Sequence, residues 1–141
     1  MKANELMIGD WVGRVFDDKR IDYRQVDWIR TGEIGMRYQK VWAIGCIEPI
    51  PLTSEIFEKN GWIQCKYKTC KSLYEYKGLH LRHTMIKRSN GRWVANVEGI
   101  VEKFPDEYTH SFLRINVFYV HQLQQTLRLC GLNELAENFK V

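Results

Sequence analysis

The chain has 141 residues, with 45% hydrophobic and 27% charged side chains and a formal net charge of +4. That length suits one domain with a real core, and the composition excludes an acidic, disordered or collagen-like chain. A mild positive charge does not by itself make a nucleic-acid binder.

Met1 to Asp10 holds no apolar stretch long enough for a signal peptide, and the longest apolar run, Val41 to Ile47, is far too short for a membrane span. The expected setting is the cytoplasm, where Cys46, Cys65, Cys70 and Cys130 stay as free thiols. Residues 11–50 read mainly as short strands: Trp11 to Phe16, Tyr23 to Ile29, Met36 to Gln39 and Val41 to Ile47, with a turn at Thr31-Gly32. Such close spacing predicts a small, strongly bent antiparallel sheet, with closure into a barrel as one option. Glu48 to Leu52 is a connector, because Pro49 and Pro51 push the residues before them into extended conformations.

Thr53 or Ser54 caps a short helix, Glu55 to Lys59, which Asn60-Gly61 ends. Further strands follow at Trp62 to Lys68, Ser72 to Lys77, Leu79 to Arg88, Arg92 to Glu98 and Phe112 to Phe118. Ser89-Asn90-Gly91 is the strongest hairpin signal, since Asn-Gly suits a two-residue turn. Val120, Leu123, Leu127 and Cys130 recur at helical spacing, and Gly131 stops that helix. The fold class is α+β: antiparallel sheets with a short middle helix and a C-terminal amphipathic helix. The expected organisation is one domain over 1–141, with an N-terminal β subregion at 1–52 and a basic α+β subregion at 53–141.

The charge is uneven. Residues 62–93 hold eight basic side chains against Glu75 alone, net +7, while 1–61 is net −1 and 94–141 is net −2. The basic segment also carries Trp62, Tyr67, Tyr74, Tyr76 and Trp93. Basic groups interleaved with aromatics suit an anionic partner with flat rings, such as a nucleotide or a single strand. The competing reading is a solvated, Lys-rich sheet face whose aromatics fill the core. The expected ligand contacts are Arg82, Lys87, Arg88 and Arg92 around the Asn90-Gly91 hairpin, with Tyr74, Tyr76 and Trp93 as stacking rings.

Catalytic and metal chemistry have weaker signals. Cys65, Cys70, His80 and His83 have the spacing C-x4-C-x9-H-x2-H, but two His three apart on a strand point to opposite faces. Cys46 and Cys130 sit in apolar patterns and read as small core residues. His83-Thr84 and His110-Ser111 lack the second hydroxyl spacing of a two-His phosphodiesterase, and no stretch approaches a phosphate loop. Asp17-Asp18 reads as a solvated turn, His110 as a loop residue and His121 as a surface or boundary histidine. No cofactor, resident metal or catalytic residue is expected.

Three stretches carry a resemblance. Met1 to Val12, Ile47 to Thr53 with Ile56 and Lys59 to Gly61, and Val120 to Gln124 with Leu127 and Gly131 resemble "ANELRIGNWV", "IPLT…IL…NGF" and "VHxLQ…L…G". These patterns belong to uncharacterised small proteins of phages and mobile elements of Bacteroides-type bacteria. Met7 and Asp10 depart from the usual Arg and Asn, and 62–118 matches no part of the pattern. The resemblance implies a phage or mobile-element accessory protein in a bacterial host, and it carries over no site residue. Three functions stand open: a non-enzymatic, oligomeric binder of a nucleotide-derived signal that sequesters it against host defence, a nucleic-acid accessory protein, and a protein–protein inhibitor or adaptor.

Overall fold

The computed structural model describes residues 1–38, 40–64, 73–77, 83–89, 92–104 and 107–141, and between 73 and 114 it describes the side chains of Tyr74, Tyr76, Trp93 and Ala95. The chain is α+β, with antiparallel sheets and helices packed on them. Among the described residues no helix is long and apolar enough to cross a membrane.

The first sheet has the order β1 (Trp11–Val15), β2 (Ile21–Arg30), β3 (Glu33–Met36) and β4 (Lys40–Ala43), each strand antiparallel to the next. The first half of β2 pairs with β1 and the second half with β3, with a register shift between Val26 and Trp28. A strand shared in this way bends, because the irregularity adds local twist. The third strand begins directly after Gly32, which takes a positive φ of 83°, rather than at Met36 as the sequence suggested. Val12, Val26, Ile34, Met36, Trp42 and Ile47 fill the core under this sheet, together with Leu6. A Cβ at Gly35 would lie 2.0 Å from the Trp28 indole, so only glycine lets that ring cross the strand.

The sheet does not close into a barrel. Closure needs the free edge of β1, and that edge is taken: Gly13 and Glu48 exchange backbone hydrogen bonds of 3.0 and 2.8 Å. The connector after β4 thus acts as a strap. Its next residues bridge to the far end of the chain, with Leu52 N–H donating to Phe118 O at 3.1 Å and Val120 N–H to Ile50 O at 2.9 Å.

The second sheet has the order β5 (Ile63–Gln64), β6 (Leu73–Lys77), β7 (His83–Ser89), β8 (Arg92–Phe104) and β9 (Glu107–Val117), again antiparallel. Ser89 pairs with Arg92, and Asn90-Gly91, the expected hairpin turn, lies outside the described residues. The last two strands run well past the expected Arg92–Glu98 and Phe112–Phe118.

Three helices complete the fold: α1 (Ser54–Lys59), α2 (Val120–Leu129) and α3 (Asn133–Glu137). The Thr53 hydroxyl accepts from Ile56 N–H at 3.3 Å and caps α1, and Gly61 follows the helix with φ of 78°. Phe57 of α1 is fully buried at the centre of an aromatic cluster. Its ring centroid lies 4.6 Å from Trp93, 5.2 Å from Tyr74 and 5.8 Å from Trp62. Leu123 and Leu127 of α2 complete that core, each buried side chain contributing roughly 2 kcal/mol of hydrophobic stabilisation. Cys130 packs at its margin, whereas Cys46, read as a core residue, is exposed in a 3-10 turn. That turn carries the chain away from β4, so the apolar run there loses its inward alternation.

Buried polar groups join the two halves. The Gln124 side chain is wholly enclosed; its Oε1 accepts from Trp11 N–H at 2.9 Å and its Nε2 donates to Ala136 O at 2.9 Å and Gly9 O at 3.1 Å. Trp11 Nε1 donates to Phe139 O at 2.6 Å, and Gln25 Nε2 to Glu137 O at 3.3 Å. Asp10 is also wholly buried: its carboxylate pairs with Arg128, accepts from Gln125 Nε2 at 2.7 Å and from Met7 N–H at 2.9 Å. Breaking a buried pair leaves one charge uncompensated. Asp10→Asn should therefore lower unfolding stability in urea by about 3 kcal/mol, and the Arg128→Met background should absorb much of that loss in a double-mutant cycle.

His121, expected at the surface or boundary, is 3% exposed. The apolar stripe alone would leave it outside, but Glu5 and Asp10 lie near it, tied to the same helix by Gln125 Nε2, which donates to Glu5 O at 2.9 Å and Asp10 Oδ2 at 2.7 Å. Its ring stacks on Tyr119 at 5.8 Å, and Nδ1 has no hydrogen-bond partner among the described residues. Burial pushes its pKa below the ordinary value, against the attraction of Asp10 and Glu5, while the N-terminal amine adds to the lowering. The unfolded chain then binds the proton more readily, so stability is full above the ordinary His value of about 6.5 and falls as pH drops below it. Melting temperature should decline from about pH 7.5 to about pH 5.5, and His121→Gln should flatten that slope.

Candidate anion-binding site

Two of the three expected stacking rings are buried. Tyr74 is 2% exposed and Trp93 is 7% exposed. Both rings are packed by Phe57, and Trp93 Nε1 donates to Leu52 O at 3.1 Å. Tyr76 is half-buried, 5.4 Å from the Trp62 ring. Of the open alternatives for these aromatics, the core is the one the geometry realises: an α1–sheet interface needs large apolar groups, and alternate strand positions supply them.

The expected cations are also divided. Directly paired residues share a sheet face. Position 88 pairs with Trp93 on the helix-covered face, whereas 87 pairs with Leu73 and Val94, and 92 with Ser89, on the other. The register brings 87 and 92 together and sets 88 apart, and Arg82 lies outside the described residues. Cys65, Cys70 and His80 lie outside them as well, and among those described no group of three or more His, Cys, Asp or Glu side chains could hold a metal.

A different cationic site emerges at the tip of the β1–β2 hairpin. Its turn is closed locally: Lys19 N–H donates to Phe16 O at 2.8 Å, Phe16 N–H to Arg20 O at 2.9 Å, and Arg20 N–H to Asp18 Oδ1 at 3.0 Å. Lys19 adopts φ of 62° there. Asp17-Asp18 is thus the exposed turn that the sequence suggested. Beside this turn lies a shallow cavity of about 250 Å³ lined by Phe16, Arg20, Ile21, Asp22, Arg24 and Lys40. Two guanidinium groups lie over the Phe16 ring, Arg14 at 4.7 Å and Arg20 at 4.8 Å from its centroid.

Asp22 organises the cavity. Its Oδ2 accepts from Lys40 Nζ at 2.9 Å, and Arg24 Nε lies 3.0 Å from Oδ1. The Arg24 N–H is not aligned for a hydrogen bond at that contact and is buried without another partner among the described residues. Burial of the carboxyl works to raise its pKa, and the Lys40 hydrogen bond with the Arg24 contact and both charges outweighs it, so the net shift is downward. The lining holds three cations against one carboxylate, an excess suited to an anion, beside an aromatic edge suited to a ring. Arg20 is also 3.7 Å from Asp18, an exposed contact that a ligand displaces at little cost.

Sequence reasoning missed this site because its members sit at 14, 16, 20, 24 and 40, in a segment whose average charge is slightly negative. The available signal was parity: Arg14, Asp22 and Arg24 share one face of the predicted hairpin. No known family, curated protein or solved structure matches the chain.

The Asp22 carboxylate stabilises the fold in its charged form, and a lowered pKa makes that contribution present above the ordinary carboxylate value and lost as pH falls below it. Asp22→Asn should melt below wild type at neutral pH, and the two curves should converge below about pH 4.

Proposed function

We propose that this protein is a binding module for a small anionic ligand that carries a flat ring, such as a nucleotide. The observation that supports it is the Phe16 ring, with the Arg14 and Arg20 guanidinium groups over it, next to a cavity lined by Arg20, Arg24 and Lys40. The guanidinium groups and the ammonium would hold phosphate oxygens, and the exposed edge of the hairpin would take the ring. The cavity is shallow, so the ligand would be held by charge and stacking more than by enclosure. Such a module acts by retaining its ligand, which fits a sequestering role.

Titration calorimetry with AMP and ATP tests the reading. Each nucleotide should bind saturably, ATP more tightly, and Arg20→Ala and Lys40→Ala should each weaken binding about tenfold without changing the circular dichroism spectrum. Loss of binding in Arg88→Ala/Arg92→Ala, with Arg20→Ala unaffected, would move the site to the second sheet. Failure to bind any mononucleotide, with affinity for single-stranded DNA that falls steeply with salt, would replace this function with nucleic-acid binding.

A further inference from the structure

The turns on either side of the cavity each hold a residue in a costly backbone conformation. Among the described residues the non-glycine positions with positive φ are Lys19 at 62°, in the β1–β2 turn, and Tyr38 at 69°, in the β3–β4 turn. The left-handed region crowds a Cβ, so a turn that needs only the shape uses glycine. This chain does so at Gly9, Gly32, Gly61 and Gly131, with φ between 75° and 86°. A bulky aromatic is poorly suited to that region, and strain of this kind collects at ligand clamps.

The pairing register places Tyr38 beside the cavity. Met36 pairs with Val26 on one side and Lys40 on the other, and Arg37 N–H donates to Gln25 O at 3.1 Å. The β3–β4 turn therefore leaves β2 at Gln25 and returns at Lys40, which lines the cavity and donates to Asp22 Oδ2 at 2.9 Å. Tyr38 lies between those two anchors. It gains no burial in exchange for its strain: at 84% it is the most exposed of the large hydrophobic side chains among the described residues.

The remaining aromatics near the hairpin are engaged or face away. The Phe16 ring already carries the Arg14 and Arg20 guanidinium groups. The Tyr23 ring lies against Gly13, on the face of the hairpin opposite Asp22 and Arg24.

We propose that Tyr38 takes the flat ring of the ligand from the β3–β4 side while Arg20, Arg24 and Lys40 hold its phosphates. This rests on the reading of the cavity as an anion site and adds the residue that makes the site select ring-bearing phosphates over plain ones. Three cations attract any polyanion, whereas stacking on an aromatic side chain is worth about tenfold in affinity and is open only to a ligand with a ring. A turn pinned at both ends presents that surface already ordered, which lowers the cost of binding.

Titration calorimetry with ATP and with inorganic tripolyphosphate, which has the phosphates without the ring, tests this. Tyr38→Ala should weaken ATP binding about tenfold and leave tripolyphosphate within about twofold of wild type. Tyr38→Phe should keep ATP binding, since the ring and not the hydroxyl makes the contact. Tyr38→Gly should lose ATP affinity as Tyr38→Ala does, yet melt at or above wild type, because glycine adopts this φ freely. Unchanged ATP binding in Tyr38→Ala, with Arg20→Ala weakened, would overturn the proposal and leave the anion site standing. Equal losses of ATP and tripolyphosphate in Tyr38→Ala, or a wild type that binds tripolyphosphate and not ATP, would do the same. A wild type that binds neither would overturn the anion site and this proposal together.

Discussion

One enclosed side chain, Gln124, carries the constraint on which the architecture depends. It sits on α2 between the start of β1 and α3, and it satisfies one backbone donor and two backbone acceptors, from Gly9 and Trp11 on one side and Ala136 on the other. The bond to Ala136 O is buried and the other two are partly buried, and an unmet buried polar group costs about 1–3 kcal/mol. The amide has both an acceptor and two donors in a fixed geometry, so it sets one register of α2 on the first sheet. Apolar contact between the halves would tolerate sliding; a three-way amide does not. The Asp10–Arg128 pair lies next to it and fixes the same approach with charge.

This placement has a consequence for function. The β1–β2 hairpin is held at its Trp11–Gln25 end, where the polar groups meet α2 and the C-terminal residues. Its opposite end, at Val15 and Ile21, is the turn that bears Phe16 and Arg20. Four strand steps, roughly 13 Å, separate the anchored end from the cationic end. A rigid base with a projecting, charged tip is a common way to present a binding surface, because the scaffold fixes the loop without filling it. In the second sheet, α1 and the aromatic cluster fasten one face.

Local signals were legible where a few residues decide a conformation. Thr53 before an acidic first turn, Asn60-Gly61 after it and the spacing of Val120, Leu123 and Leu127 each specified an element within a residue or two. The site was less legible because it depends on distance in the chain. Lys40 reaches Asp22 only once β2, β3 and β4 are folded against one another, and no pattern at 22 or 40 announces that. The concentrated charge of 62–93 drew attention to aromatics that are buried: Tyr74 and Trp93 alternate as core residues do, and a sheet face that packs on a helix uses the same alternation as one that stacks on a base. His121 was misplaced for a related reason, since a helix covered on two sides buries more than its apolar stripe.

The central claim is that the two halves are one cooperative structure held in register by Gln124. Native-state hydrogen exchange on wild type and Gln124→Leu tests it most directly. The account predicts that the slowest amides of β1 and β2, among them Gly13 and Val26, and those of α2, among them Leu127, lose protection together and by similar amounts. Faster exchange confined to α2, with β1 and β2 unchanged, would contradict it and would make the two sheets independent units.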